Sequence, residues 1–353
     1  MTPPKEKPRE LSWYNFDKLY SYDCVQNYIV GSRGEGKTFG AVLRGIRAFL
    51  ANGEEFIYLR RVQPEIDMSS GSFFHAMERK NMFPDWDFRV TTVDSMRVGQ
   101  MAPRSSRDDE TRPWKTVCYF AVLSKAQEYK SKNFPYVTLI IFDEFIKEKS
   151  HSRYLPGNEF ETFMGFYATV DRSEDRVKVL FLANSVSIMN PYFLELDIQP
   201  DMLPEYSRHE GGYVLVHITD NKEFKGEVSA TRMGRFLEGR SFGEYAIGNQ
   251  FADNHAELIL KKPSHARYWM SLETKKGTFS VWRDPDTKRY FIQAKRPKIE
   301  VMLTLLAENM SDTKRLVTVN GQALELLRTG FTHGRAYFDK PSTRNAFAEI
   351  FKR

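Results

Sequence analysis

The chain has 353 residues, 41% of them hydrophobic, enough for two domains with packed cores and too many for a disordered chain. Its two cysteines, Cys24 and Cys118, lack C-x-x-C partners, which excludes a disulfide framework or a structural zinc site and fits a reducing cytosol. The formal net charge of +6 is uneven: residues 256–353 hold 19 basic and 10 acidic side chains, a surplus of +9 that leaves −3 for the rest, and no apolar run approaches the ~18 residues of a membrane helix.

The opening "MTPPKEKPRE" is charged and proline-rich and is expected to be neither a signal peptide nor a membrane anchor. Short apolar runs then alternate with helical stretches, the pattern of a parallel α/β sheet. "NYIV" reads as the first strand. "TFGAVLRGIRAFLANG" reads as a helix, with Phe39, Val42, Leu43, Ile46 and Phe49 on one side and Gly53 near its end. "EEFIYLR", "WKTVCYFAVLS", "YVTLIIFDE" and "RVKVLFLANS" read as further strands, apolar enough to be covered on both faces. Between Val98 and Thr116, the polar "GQMAPRSSRDDETRPWK" reads as an exposed loop or hairpin tip. Prolines at 191, 200 and 204, then Gly211-Gly212, break the pattern. A first domain is therefore expected over 1–200, a transitional segment over 201–255 and a basic tail domain over 256–353. In the tail, "GTFSVWRDPDTKRYFIQ" reads as a strand pair turning at "DPDTK", with helices near 300–308, 320–329 and 341–352. The tail's positive surplus suits a polyanion such as nucleic acid; a merely solvated basic surface is the other reading.

Gly31-Ser32-Arg33-Gly34-Glu35-Gly36-Lys37-Thr38 satisfies G-x-x-x-x-G-K-(S/T), directly after the first strand and at the start of the helix. Glycines let the backbone curl so that its N–H groups face inward as an anion nest, and the helix adds its positive end. Lys37 is placed to reach the β- and γ-phosphates of ATP, and the Thr38 hydroxyl to bind Mg²⁺. "VTLIIFDEF" ends a buried strand in Asp143-Glu144, the Walker B arrangement: Asp143 for the metal, Glu144 to polarise a water. Small-molecule kinases do not need that second acid, whereas additional-strand motor ATPases generally carry it. Asn184, at the end of "LFLANS", is placed to read the γ-phosphate or orient the water. Arg172 or Arg176 in "ATVDRSEDRVKV" is a candidate arginine finger for a neighbouring subunit. Lys130 and Lys132 in "QEYKSKNFP" are candidates for trans or DNA contacts, as are Arg60-Arg61 after the second strand, which lie where DNA or nucleotide could be touched.

With these residues in place, "VGSRGEGKT", "FIYLRRVQPE", "FPYVTLIIFDEFIKEKSHSRYLP" and "LANSVSIMNPYF" resemble the DNA-packaging (encapsidation) ATPase of phi29-type protein-primed tailed phages. The resemblance runs from about Trp13 onward, strongest from Tyr22 to Phe193 and looser in the tail, where "TRMGRFLEGRSFGEYAIGNQF" matches best. It implies an α/β fold: an additional-strand (ASCE) P-loop ATPase domain followed by a smaller α+β, RNase H-like domain without its catalytic acids. It also implies a homomeric ring, typically pentameric, at the portal of an empty procapsid in the host cytoplasm. That ring drives double-stranded DNA inward with ATP and Mg²⁺, is absent from the mature virion, and in part of the family works with a packaging RNA. Arg172 is the residue the resemblance places as the finger acting in trans, and Lys130 aligns with a lysine implicated in trans contacts. Acidic Asp171 beside Arg172 implies a weaker local field, and the stretch Pro103–Pro113 is longer than in family examples. The tail acids Asp284, Asp286 and Asp339 do not form a recognisable two-metal site by spacing. The alternatives are a terminase large subunit with an active C-terminal nuclease, a nucleotide kinase, and a non-enzymatic binder whose loop only supports structure.

Overall fold

The apolar runs of the first half assemble side by side. In this computed structural model the described residues are 14–147, 154–155, 158–184, 190–196, 198, 204–219, 221–237, 261–295, 302–318, 321–332, 335–348 and 350. The chain divides into two units, Met1–Ala252 and Asp253–Arg353. In chain order the first holds α1 (Asp17–Tyr20), β1 (Gln26–Gly31), α2 (Lys37–Asn52), β2 (Glu55–Arg60), α3 (Gln63–Ser70), α4 (His75–Arg79), β3 (Trp86–Val93), β4 (Met96–Pro103), β5 (Lys115–Val122), β6 (Val137–Asp143), α5 (Glu159–Asp171), β7 (Lys178–Asn184), α6 (Pro191–Glu195), β8 (Tyr206–His209), β9 (Val214–Ile218), α7 (Lys222–Ser229) and α8 (Arg232–Leu237).

The first unit's sheet has the order β3-β4-β5-β2-β6-β7-β1-β9-β8. The central strands from β5 to β9 are parallel, with antiparallel β3–β4 at one edge and β8 at the other. Side chains alternate between faces. Tyr28, Val30, Ile57, Leu59 and Phe142 pack on one face with Phe163 and Phe166 of α5. Ile29, Phe56, Tyr58, Ile141 and Leu180 pack on the other with Ala41, Val42 and Ile46 of α2. Each such apolar side chain contributes roughly 1.5–3 kcal/mol by leaving water, which explains runs that read as continuously hydrophobic. Helix α2 stops at Gly53, whose φ of 76° is the left-handed cap that halts a helix.

The segment expected as transitional, 201–255, instead contributes two strands to the sheet. Gly211 and Gly212, at φ 63° and 96°, turn the β8–β9 hairpin rather than end a domain, and apolar "VLVHI" pairs with β1 because its side chains are buried. The supposed loop 98–116 is also partly strand: its first residues finish β4. Beyond them, Asp87 accepts hydrogen bonds from Arg104, Arg107 and Arg112, which organises the connection to β5.

The second unit holds β10 (Arg267–Thr274), β11 (Gly277–Arg283), β12 (Tyr290–Gln293), β13 (Met302–Thr304), β14 (Lys314–Leu316), α9 (Gln322–Thr332), β15 (Ala336–Phe338) and α10 (Pro341–Ala348). Its sheet order is β14-β13-β10-β11-β12-β15. The expected strand pair is β11–β12. The helix expected near 300–308 is a strand and a 3₁₀ turn among the described residues: Met302 and Thr304 alternate into the core, a period of two rather than 3.6.

Candidate active site

The glycine loop joins β1 to α2. Gly34 and Gly36 have φ of 87° and 78°, which L side chains rarely adopt. Gly31 has no room for a side chain: a Cβ there would lie 2.0 Å from Thr219 Oγ1 and 2.4 Å from Glu35 Oε2. The N-terminal turn of α2 opens at Lys37, so its backbone N–H groups border the loop and favour an anion. Lys37 Nζ donates to the Ser32 carbonyl at 2.7 Å and lies 3.6 Å from Glu35 Oε2. Burial pushes the Lys37 amine below its usual pKa, against the opposing pull of Glu35 and Asp143. Arg33 is exposed, whereas Glu35 is fully buried.

Strand β7 separates β1 from β6 in the sheet, yet the loop and the acids meet above it. Thr38 Oγ1 donates to Asp143 Oδ1 at 3.1 Å. Tyr58 donates its hydroxyl to Asp143 Oδ2 at 2.7 Å, and burial, reinforced by Asp143, raises its phenol well above the usual pKa, so it stays a donor. Glu144 takes a left-handed backbone, φ 57°, at the strand end and is half-exposed. Arg60 binds both acids, with Nη1 3.4 Å from Asp143 Oδ2 and Nη2 2.6 Å from Glu144 Oε2. Asn184 sits opposite Gly31 in the β1–β7 register, beside the loop's first residue.

Arg60 and Arg61, expected from the sequence where DNA or nucleotide could be touched, are both buried. Arg60 is 9% exposed and belongs to the acidic cluster; Arg61 is 1% exposed. Arg61 pairs with buried Glu159 at 2.9 Å and donates to the Glu144 and Phe145 carbonyls, fixing the chain just after β6. Tyr192 and the Leu155 amide also donate to Glu159. The two-residue period of β2 carried the signal: Tyr58 and Arg60 share the face toward α2, and Arg61 faces away. Tyr58, Glu159 and Thr219 were not singled out from sequence, because their side-chain partners Asp143, Tyr192 and Glu35 are 33 to 184 residues distant.

Lys130, Lys132 and Arg172 lie at the other end of the sheet. They precede the N-terminal ends of β6 and β7, while the loop follows the C-terminal end of parallel β1. Arg172 and Lys130 are exposed. Arg172 Nη2 donates to the Lys132 carbonyl at 3.0 Å, and Lys132 Nζ to the Asp94 carbonyl at 2.7 Å. Asp171, beside Arg172, is buried and accepts from the amides of Asp175, Arg176 and Val177. Arg176, the other finger candidate, is turned inward onto the carbonyls of Phe134, Val137 and Val170 and pairs with Glu174. In the second unit, ligand atoms of His265, Asp284 and Asp286 lie within 4.8 Å of one another. Asp284, however, accepts from the Asp286 and Thr287 amides and the Thr287 hydroxyl, so it closes the β11–β12 turn.

A glycine loop between a parallel strand and a helix, with an acidic strand end converging on its threonine, defines a P-loop-ATPase-like fold. A family model described as the podovirus DNA encapsidation protein (Gp16) matches residues 9–353, and the chain belongs to that family. The DNA packaging protein of Bacillus phage phi29 is 31% identical over 348 residues, covering 97% of each. A chain in the solved bacteriophage phi29 viral genome packaging motor assembly is 30% identical with a TM-score of 0.63, covering 97% of this chain and 99% of that one. The crystal structure of the N-terminal domain of the phi29 DNA packaging ATPase is 33% identical with a TM-score of 0.51, covering 60% of this chain and 98% of that one.

Proposed function

We infer that this chain is an ATP-driven viral genome packaging motor, hydrolysing ATP in a homomeric ring, a pentamer, to move double-stranded DNA through the procapsid portal. Family membership supports the packaging role. The observation that carries the chemistry is the 3.1 Å approach of Thr38 Oγ1 to Asp143 Oδ1, from opposite sides of β7. An interposed strand β7 also supports the additional-strand class.

The donor set fits Mg²⁺, a hydroxyl and a carboxylate oxygen with Tyr58 orienting the latter. When bound, the ion would neutralise charge on the β- and γ-phosphates. Loop amides and Lys37 hold the triphosphate in this reading, Asn184 faces its γ-end, and Glu144 positions the attacking water. Arg60 holds Glu144 at 2.6 Å, so the base must leave that ion pair to act. Arg172 completes a neighbour's site, because it lies at the opposite end of the sheet from its own loop and is exposed. Lys130 and Lys132 share its surface. In this reading the chain works at the portal in the host cytoplasm, with a packaging RNA as a further partner the resemblance implies. No described helix is long and apolar enough to cross a membrane. In the second unit, antiparallel β10–β12 with β13 and β14 added in parallel beside β10 supports an RNase H-like relationship.

DNA-stimulated phosphate release without a small-molecule acceptor tests the reading against a kinase or an inert binder. Mixing Arg172→Ala subunits with Lys37→Ala subunits tests the shared interface: recovered turnover supports a trans finger, and failure to complement counts against it. Cleavage of linear or circular DNA with Mn²⁺ would instead favour a terminase with an active nuclease.

A further inference from the structure

We propose that Glu35 is a built-in counter-ion that competes with the nucleotide's phosphates for Lys37 and thereby promotes release of the product. This rests on the nucleotide reading above and adds to it a residue that weakens binding. An acid at a variable position of a phosphate loop would ordinarily point into solvent, away from the anion. Here the Glu35 side chain is fully buried. Its carboxylate lies 3.6 Å from Lys37 Nζ and is held by Thr219 Oγ1, at 3.0 Å to Oε1 and 2.8 Å to Oε2. It rests against the α-carbon of Gly31, where a Cβ would fall 2.4 Å from Oε2, so the first glycine of the motif also makes room for it.

The network ties the loop to its neighbours. The Thr219 amide donates to the Val30 carbonyl of β1 at 2.8 Å, and the Glu35 carbonyl accepts from the Tyr14 amide at 2.9 Å. Just beyond Thr219, α7 brings Phe224 to 3.5 Å from the position a Gly34 Cβ would take. Glu35 is thus anchored from outside the loop and cannot simply swing away when phosphate arrives. Lys37 has one charge to give, and a fixed carboxylate beside it has the same sign as the β- and γ-phosphates. The carboxylate keeps the lysine paired while the loop is empty and re-forms that pair as the product leaves.

The signs of two substitutions separate this role from a structural one. Glu35→Gln keeps the shape and the Thr219 partner but removes the charge. It is expected to tighten binding of a fluorescent ADP analogue with Mg²⁺ on the order of tenfold, mainly through a slower off-rate. Thr219→Val leaves the charge and removes its anchor, so Glu35 is free to swing away when phosphate arrives; binding is expected to tighten about 3-fold, less than in Glu35→Gln. Thermal melts check that each variant folds. Should Glu35→Gln fail to fold, Glu35→Met, uncharged and of similar length, carries the same expectation. Weakened or unchanged binding in the uncharged variant overturns the proposal and leaves the nucleotide reading standing. No binding by the wild-type chain overturns both.

Discussion

At the C-terminal ends of β1, β2 and β6, Lys37, Arg60, Asp143 and Glu144 are paired with one another or with close neighbours, and the two cations, Lys37 and Arg60, are buried. At the N-terminal ends of β6 and β7, Lys130, Lys132 and Arg172 have no carboxylate partner among the described residues, and Lys132 and Arg172 bond to backbone carbonyls. Both ends carry cations on one rigid sheet, but only the first could not bear an uncompensated charge, since a buried ion without a partner costs several kcal/mol. A closed, pre-paired cluster suits chemistry on a small charged ligand. An exposed set of cations suits a partner that brings its own negative charge, and the proposed trans role of Arg172 follows from that asymmetry.

The sharpest way to break the comparison is at its exposed end. Arg172→Ala is expected to lower DNA-stimulated ATP turnover of the assembled protein about a thousandfold, while the isolated chain's affinity for an ATP analogue stays the same. A loss of affinity in the isolated chain would mean that Arg172 serves its own site. Glu144→Gln is expected to cut turnover by several hundredfold, about 500-fold, with nucleotide affinity kept; wild-type turnover would remove Glu144 as the base. At the buried end, Glu159→Ala strands the Arg61 charge and should destabilise the first unit by about 3 kcal/mol in urea melts, whereas Lys132→Ala should change stability by less than about 0.5 kcal/mol. Equal effects would erase the distinction between the two ends.

A smaller test uses pH. His217 on β9 is buried, shares a hydrogen bond between Nδ1 and the Tyr14 hydroxyl, and stacks on Tyr206. Burial, with Lys18 and Lys37, lowers its pKa from 6.5 to about 3, although Glu205 lies 3.5 Å from Nε2. The unfolded chain therefore takes up a proton that the folded chain refuses. Stability should be full above pH 6.5 and fall as pH drops toward 3, by at most ~1.4 kcal/mol per unit, and His217→Gln should flatten that slope.

How far the sequence could be read depended on the range of the interactions. The five strands β1, β2, β5, β6 and β7 and helix α2 announce themselves by local apolar runs and by Gly53. The phosphate loop and Asp143-Glu144 are legible because their chemistry requires particular residue types in consecutive order. The hairpin β8–β9 was hidden because Gly211-Gly212 marks a domain end and a tight turn equally well. Arg60 and Arg61 differ by one residue and read alike, yet the alternation along β2 sends one to Asp143 and Glu144 and the other to Glu159.

By itself, the order of residues determined the nucleotide-binding motif, the acidic strand end and the family, since each is written in contiguous stretches. Only the folded chain decided which cations are spent inside it and which remain at the surface, and that Glu35 faces Lys37. Those outcomes depend on strands far apart in sequence meeting side by side, where burial forces every charge to find a partner and a change of one residue reverses the face it occupies.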